Sequence, residues 1–304
     1  MMEEPLVSVI ALSYNHELFI KQALSSVLNQ TYPAIELILV DDASTDQSVN
    51  TAKTYLEENP ALFPVKILFL KENVGSCTAF NRGLALAQGK YVIDFATDDI
   101  MLPQRVEQQV SYFESLPDDY GVVFTEAEYV DQTGNHLWYH YRNRLKHIRP
   151  IPTGDIYAEV LARYFISSPT MMIRKKVLDG MGGYDEQLAY EDFDFWVRSA
   201  RNWKYAYLDD CTTQVRKHSE SMSTGWYRPG DPQLYSTYLV CQKALKLNKS
   251  DEERKALATR LKYELRQAFR SGNHKEVELL FGLLRQLKRK PLFYRLLTTI
   301  SSFC

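Results

Sequence analysis

Residues 7–46 read VSVIALSYNHELFIKQALSSVLNQTYPAIELILVDDASTD. Two apolar runs, residues 6–12 and 35–40, flank a stretch in which Phe19, Ile20, Ala23, Leu24, Val27 and Leu28 recur at helical spacing. That helix must stop before Pro33, whose ring excludes its continuation. Strands that are apolar almost throughout, separated by an amphipathic helix, predict a mostly parallel sheet covered on both faces. The pattern then repeats. A helix after Asp42 can be capped by Ser44 or Thr45. Residues 65–70 predict a third strand, 76–88 a helix closed by Gly89, and 91–95 a fourth strand. Pro103 suits the first turn of the next helix, where its missing N–H costs nothing.

Past about residue 121 the sequence predicts shorter strands and long loops. VVFTEAEYV (122–130), a turn at DQTGN and HLWYHY (136–141) suggest a hairpin. The basic stretch YRNRLKHIRPIPTGD (141–155) has no clear period and reads as a loop. Helical segments follow at 155–164 and 190–202, with short strands near Met171 and Tyr205. From Pro232 onward the pattern is helical only, with a capped start at Ser250 to Glu253, a helix over 274–289 and a last short one from Pro291. The expected division is a domain over 1–230, with halves of about 1–120 and 121–230, followed by a helical appendage over 231–304.

The 304 residues are 45% apolar and 24% charged, as in an ordinary globular protein with a sizeable core. A net charge of -2 gives no case for nucleic acid as a partner. Cys77, Cys211, Cys241 and Cys304 form no CxxC pair, which argues against zinc or a disulfide framework and for a reducing cytosol. The N-terminus is acidic where a signal peptide would be basic. No apolar run approaches the roughly 20 residues needed to span a bilayer. The expectation is a soluble, cytoplasmic protein, with attachment to the inner face of the cell membrane left open.

Three acidic pairs carry the chemistry. Asp41-Asp42 and Asp98-Asp99 end apolar strands, and Glu191-Asp192 opens a helical segment. Adjacent carboxylates repel unless a cation or ligand lies between them. Such pairs at strand ends suit a divalent metal that holds a diphosphate, and so a nucleotide-activated group transfer.

The opening stretch, with ENVGSCTAFNRGLALAQGKYV (72–92), ATDDIMLP (96–103), GGYDEQLAYEDFDFWVR (182–198) and RKHSESMS (216–223), resembles the ordered blocks of family 2 glycosyltransferases over roughly residues 6–225. The resemblance implies the α/β GT-A fold: a nucleotide-binding half and an acceptor half around a central mostly parallel mixed sheet. It also implies inverting transfer from a nucleotide-sugar donor, with Mn²⁺ or Mg²⁺, to a hydroxyl of a glycan or lipid-linked glycan in surface polysaccharide biosynthesis. It puts Asp42 on a uracil ring, where a carboxylate accepts from N3–H, with Ser13, Tyr14 and Asn15 as the floor beside the base. Asn73, Gly75 and Arg82 fall near the diphosphate or donor sugar, Asp98 and Asp99 at the metal, and His218 at a third metal contact. Asp192 is the candidate base, with Glu191 orienting it. Gly182-Gly183 would let the backbone come close to substrate.

Blander roles stand beside these. Asp41 and Asn15 read as turn residues, Arg82 and His218 as solvated side chains, and Glu191-Asp192 as partners of a helix dipole. Many family members have Asp where this chain has Ala96, which removes one ligand or ribose contact; Asp94 is too deep to replace it.

Two regions speak about partners. Arg142, Arg144, Lys146, His147 and Arg149 could clamp an anionic acceptor group or be a solvated loop. At the C-terminus, Leu292, Phe293, Leu296, Leu297 and Ile300 would form one apolar stripe beside basic residues. That stripe suits a membrane surface, a homodimer contact or packing on the preceding helices. Two competing functions remain: a nucleotidyltransferase, disfavoured because SYNH replaces a Gly-rich phosphate loop, and a sugar-nucleotide-binding or scaffold subunit without transferase activity.

Overall fold

The structure, a computed structural model, describes residues 4–142, 150–218 and 227–287. Residue contacts group the chain into two compact units, each discontinuous in sequence. The first comprises Met1–Asp155, Ile166–Glu186 and Trp203–Ser221; the second comprises Ile156–Phe165, Gln187–Asn202 and Met222–Cys304.

The first unit begins with β1 (Val7–Ser13), α1 (Ile20–Leu28), β2 (Ile35–Asp41), α2 (Ser48–Glu58), β3 (Val65–Phe69), α3 (Ser76–Leu84) and β4 (Tyr91–Ala96). A two-residue β5 (Ile100–Met101), α4 (Arg105–Ser115), β6 (Tyr120–Val130) and β7 (His136–Tyr139) follow. After α5 (Tyr157–Ala162), which belongs to the second unit, the chain supplies β8 (Met172–Arg174) and α6 (Lys175–Met181). After α7 (Asp192–Ser199), again of the second unit, it returns as β9 (Lys204–Arg216). The strand order is β3-β2-β1-β4-β8-β6-β9-β5, with β7 on β6. One side of the sheet is the parallel set the apolar runs predict: β1 pairs in parallel with β2 and β4, and β2 with β3. β8 is antiparallel to both β4 and β6, which makes the sheet mixed.

Val9, Leu37, Leu39, Ile93 and Phe95 are fully buried and pack with Ala23, Leu24 and Val27 of α1 and with Val106, Val110 and Phe113 of α4. Each such large side chain contributes about 1.5–3 kcal/mol when taken from water, so the parallel set is the energetic centre of this unit. Its loops at the C-terminal strand ends therefore stand on a rigid base.

One buried charge in β2 is firmly held. Glu36, 2% exposed, accepts from Ser8 Oγ and the Gln88 amide at 2.6 Å and pairs with Lys66 Nζ at 2.8 Å. Burial pushes its carboxyl up, but the Lys66, Ser8 and Gln88 hydrogen bonds together hold it below its ordinary value. A lowered folded pKa gives stability that is present above the unfolded carboxylate range and is lost as pH falls through the folded value. Glu36→Gln should cost about 2–3 kcal/mol at neutral pH in a denaturant titration. The gap from wild type should close on acidification; a gap constant with pH would contradict this account.

Three expectations are revised. Ser44 and Thr45 do not cap α2, which begins at Ser48 after Gln47; both are tied to other partners, described below. The helix after β3 ends at Leu84, not at Gln88. From Tyr120 on, the described residues include their two longest strands, β6 and β9 of 11 and 13 residues, paired in parallel. The ladder breaks its register between Thr125 and Ala127, and Asp209 and Asp210 fall outside the pairing. That bulge put two acidic residues mid-strand and hid its length. The hairpin of β6 with β7 forms about the Asp131–Asn135 turn.

The second unit is helical. To α5 and α7 it adds α8 (Pro232–Leu247), α9 (Asp251–Arg270) and α10 (His274–Gln286). Asp231 caps α8 by accepting the Gln233 amide, with Pro232 in the first turn. Ser250 and Glu253 form a reciprocal capping box on α9. Leu257, Leu261 and Leu265 are fully buried on one stripe of α9, which packs on α5 and α10. The α7 helix is locked by Asp194, 1% exposed, which pairs with Arg198 and Lys243 at 2.6 Å each. Among the described residues no helix is long and apolar enough to cross a membrane. Arg144, Lys146, His147 and Arg149 of the basic loop and the C-terminal apolar stripe lie outside the described residues.

Candidate functional site

The loops that follow β1 and β2 are stitched together. Asn15, at φ 57, uses its amide to reach Ser44 Oγ at 2.9 Å, and its Oδ1 accepts the Thr45 amide at 2.8 Å. The His16 amide donates to Ser48 Oγ at 2.8 Å, the Glu17 amide to Asp46 at 3.0 Å, and the Gln47 amide to Glu17 at 2.8 Å. Asn15 is thus a brace between loops. Asp41 closes a tight turn, accepting the Ser44 amide at 2.8 Å and its hydroxyl at 2.6 Å. Asp42, 5% exposed, accepts the Val74 amide at 2.8 Å and the Gly75 amide at 2.9 Å, one on each oxygen. Its carboxylate therefore draws in the β3–α3 loop that carries the exposed Asn73, and Gly75 there takes φ 85, which suits a residue without Cβ. Ser13 is 2% exposed, and its hydroxyl finds no partner among the described residues; Tyr14 beside it is 44% exposed. Arg82 is exposed in the last turn of α3.

Beyond the end of β4, the structure brings Asp98 and His218 together. His218 Nε2 is 3.0 Å from Asp98 Oδ2, and both side chains are largely buried. The His218 ring packs on Phe19 at 5.0 Å between centroids and meets His16 edge-on at 6.4 Å. His16 Nδ1 in turn is 2.9 Å from Thr97 Oγ1. Burial alone would raise the Asp98 carboxyl, but the His218 hydrogen bond and the pull of His16 and His218 outweigh it and hold it below its ordinary value. Burial, and then repulsion from Asp98, raise Asp99 well above the carboxylate range. One carboxylate of the pair is thus kept charged and the other is discouraged from ionising.

Asp99 faces other partners. It is 4% exposed, and its Oδ1 accepts the Arg216 amide at 2.9 Å. The Arg216 guanidinium ties the neighbourhood together: Nε donates to the Asp98 carbonyl at 3.0 Å, and Nη2 to Gln22 at 2.8 Å. Nη1 reaches the Gln132 carbonyl at 2.9 Å. Arg105 is wholly buried and donates to Gln109, Thr213 and the Met171 carbonyl. Burial lowers its pKa while the charges of Asp99 and Asp94 oppose the fall.

Among the described residues, no three His, Cys, Asp or Glu side chains gather as a metal cage. Of the expected set Asp98, Asp99 and His218, the structure pairs Asp98 with His218, while Asp99 Oδ1 accepts the Arg216 amide. Asp98 with His218 does fit an incomplete site. Ions of this class take one or two protein carboxylates and complete their shell with phosphate oxygens, and imidazole is an acceptable ligand for Mn²⁺.

Gly183 has a different use from the one expected. A Cβ there would lie 2.3 Å from Asn81 Oδ1, so the glycine admits a side chain of this protein. Asn81 accepts the Tyr184 amide at 2.8 Å and donates to the Tyr184 carbonyl and to Glu186 at 2.9 Å. Tyr184 stacks on Phe80 and donates to Asp94 at 3.0 Å, so Asp94 is engaged there. In the second unit, Glu191 occupies the N-cap position of α7 and Asp192 lies in its first turn, both half-buried.

Sequence reasoning missed His16, Asn81, Arg105 and Arg216. His16 directly follows the named Ser13-Tyr14-Asn15, and Arg216 opens the RKHSESMS block, so adjacency offered a signal for both. Nothing marks Arg105 as buried, because an arginine after Pro103 on an amphipathic helix reads as solvated.

Comparison with known proteins gives a consistent result. The family described as Glycosyl transferase family 2 matches residues 8–182. The amylovoran biosynthesis glycosyltransferase AmsE of Erwinia amylovora is 31% identical over 239 residues, 77% of this chain and 85% of that protein. An uncharacterized glycosyltransferase of Methanocaldococcus jannaschii is 29% identical over 223 residues, 71% and 72% of the two chains. Among solved structures, S. aureus TarS 1–349 in complex with UDP-GlcNAc superposes with TM-score 0.68 at 19% identity, covering 97% of this chain and 89% of that one. The mannosyltransferase PcManGT from Pyrobaculum calidifontis, in complex with GDP-Man and Mn²⁺, gives 0.62 at 18% identity, covering 99% and 85%.

Proposed function

The chain belongs to glycosyltransferase family 2 and has its GT-A fold, and from that premise we propose an inverting, divalent-metal-assisted transfer from a UDP-sugar to a hydroxyl of a surface glycan or glycolipid. The observation that carries this reading is the Asp98–His218 pair at 3.0 Å, just beyond a strand of the parallel sheet. Open α/β sheets bind ligands at those strand ends.

Asp98 and His218 would hold Mn²⁺ or Mg²⁺, which when bound neutralises charge on the departing diphosphate. The buried Ser13 hydroxyl offers a hydrogen bond to the nucleoside, and the half-exposed Tyr14 ring a face for the base. Asp42 sets the Val74–Gly75 loop and keeps further lone pairs with which to accept uracil N3–H. Asn73 and Arg82, on that loop and the helix after it, are the remaining candidates for contact with the diphosphate or donor sugar. Asp192 takes the proton of the attacking hydroxyl as general base, and Glu191 orients it. At the first turn of α7 the helix dipole favours the ionised carboxylate that a base requires. AmsE, a glycosyltransferase of amylovoran biosynthesis, and the TarS complex with UDP-GlcNAc support the polysaccharide and uridine assignments.

A thermal-shift screen of UDP, GDP, CDP and ADP, each with and without Mn²⁺, tests the donor. A nucleotide at 100 times its Kd adds about 2.7 kcal/mol to folded-state stability. UDP with Mn²⁺ should give the largest rise. Stabilisation by GDP alone would overturn the uridine assignment. Absence of nucleoside diphosphate release from every nucleotide sugar would favour a scaffold subunit.

A further inference from the structure

Resting on the proposed metal role of Asp98 and His218, we infer that Arg216 is the positioning residue that sets their spacing for a divalent cation. Asp98 stands beyond β4 and His218 beyond β9, 120 residues apart in sequence. Two strands, β8 and β6, separate β4 from β9 in the sheet, so no direct ladder between those two holds the pair together. The link runs through β5, where Ile100 pairs with Gln214 and Met101 with Thr213. That ladder stops short of the acidic pair, and Arg216 carries it on. Its amide donates to Asp99 Oδ1 at 2.9 Å, and its Nε to the Asp98 carbonyl at 3.0 Å.

The rest of the guanidinium is held as firmly. Nη1 donates to the Gln132 carbonyl at 2.9 Å and to the Asp131 carbonyl at 3.3 Å, in the β6–β7 turn. Nη2 donates to Gln22 Oε1 of α1 at 2.8 Å. The guanidinium carbon lies 4.9 Å from the centroid of the Phe19 ring, which also packs on His218. Arg216 is 3% exposed. This one side chain thus ties α1, the β6–β7 turn and the Asp98 main chain to the strand end that carries His218.

The spacing so fixed has a chemical meaning. Small divalent ions hold oxygen ligands in a near-octahedral shell at about 2.1 Å, which sets neighbouring ligand atoms about 3 Å apart. His218 Nε2 and Asp98 Oδ2 stand at 3.0 Å. The pair therefore has the separation of two adjacent ligands before any ion arrives, and a residue that preserves it spares the site a rearrangement on binding. Groups that orient metal ligands from behind are commonly worth about 10–100-fold in affinity. Charge is not the contribution, since a guanidinium beside Asp98 repels a cation. Lysine keeps that charge but offers one nitrogen, not the planar fork that reaches Asp98, Gln132 and Gln22 at once.

Mn²⁺ titration of the full-length protein with UDP present, followed by the EPR signal of the free ion, reads the pair without turnover. The Asp98→Asn variant is the blank for ion held by free nucleotide and by other carboxylates. Calorimetry with UDP in metal-free buffer runs on the same proteins. Arg216→Lys should bind Mn²⁺ about 10–100-fold more weakly than wild type, with metal-free UDP binding unchanged. Gln22→Ala, at an exposed position, spares the other Arg216 bonds; it should fall between the two and guards against a lysine variant that does not fold. Wild-type Mn²⁺ affinity in either variant overturns the assignment. So does a parallel loss of metal-free UDP binding, which marks general damage. A wild-type protein that binds UDP but takes up no more Mn²⁺ than the blank strikes the metal reading of Asp98 and His218 itself.

Discussion

Asp192→Asn should lower transfer by about 10²–10⁴-fold, the range that a positioned general base supplies, with UDP affinity unchanged. The amide has the size of the carboxylate and can still accept hydrogen bonds at the start of α7, so the helix has little reason to shift. What it cannot do is take up a proton. The loss must therefore fall on kcat, since the variant retains every group proposed to hold the donor. Glu191→Gln should lose less, because Glu191 is proposed only to orient its neighbour. Initial rates of nucleoside diphosphate release, set beside calorimetric UDP binding, separate the two effects. Turnover by Asp192→Asn at the wild-type rate would transfer the role of base to another residue.

The second large effect is expected at Asp98. Asp98→Asn removes the charge that faces His218 and should reduce kcat/KM about 10³-fold or more, as loss of electrostatic stabilisation at a leaving group commonly does. The fold should survive, because the main-chain carbonyl of Asp98 still accepts Arg216 Nε. The Mn²⁺-dependent part of UDP stabilisation should vanish in this variant and in His218→Ala. Asp99→Asn is the informative contrast. Its remaining carbonyl oxygen can still accept the Arg216 amide, so it should keep activity within about tenfold of wild type, a far smaller loss than the removal of a metal ligand. Equal collapse of the two asparagine variants would restore Asp99 to the metal.

The legible parts of the sequence were those governed by period. The β1–α1–β2 stretch is apolar where it is buried on both faces and amphipathic where one face is covered, so its strands and helix could be read directly. The capping box at Ser250 was equally plain, because two side chains at fixed spacing satisfy two backbone donors. β9 was not legible: its bulge carries Asp209-Asp210, and a strand interrupted by acids looks like a short strand and a loop. The site divides along the same line. Asp98 and His218 could be named because each stands in a short motif. The inward turn of Asp99 depends on Arg216, which lies 117 residues away in sequence. No local pattern encodes that meeting. Asp42 shows the same limit, since its grip on Val74 and Gly75 belongs to the sheet's geometry.

The strand order also dictates a timetable for biosynthesis. Among the described residues β4 and β6 are joined through the short β8, and β6 gains its long neighbour when β9 arrives. A nascent chain that has left the ribosome as far as β7 therefore holds a finished parallel half beside an 11-residue ribbon paired with β7 alone. Open ribbons of that kind invite association with other chains. His218 emerges later still, so the Asp98–His218 pair is completed only after that hazard has passed, and a trigger-factor-like holdase would have most to protect during translation of the codons between β6 and β9.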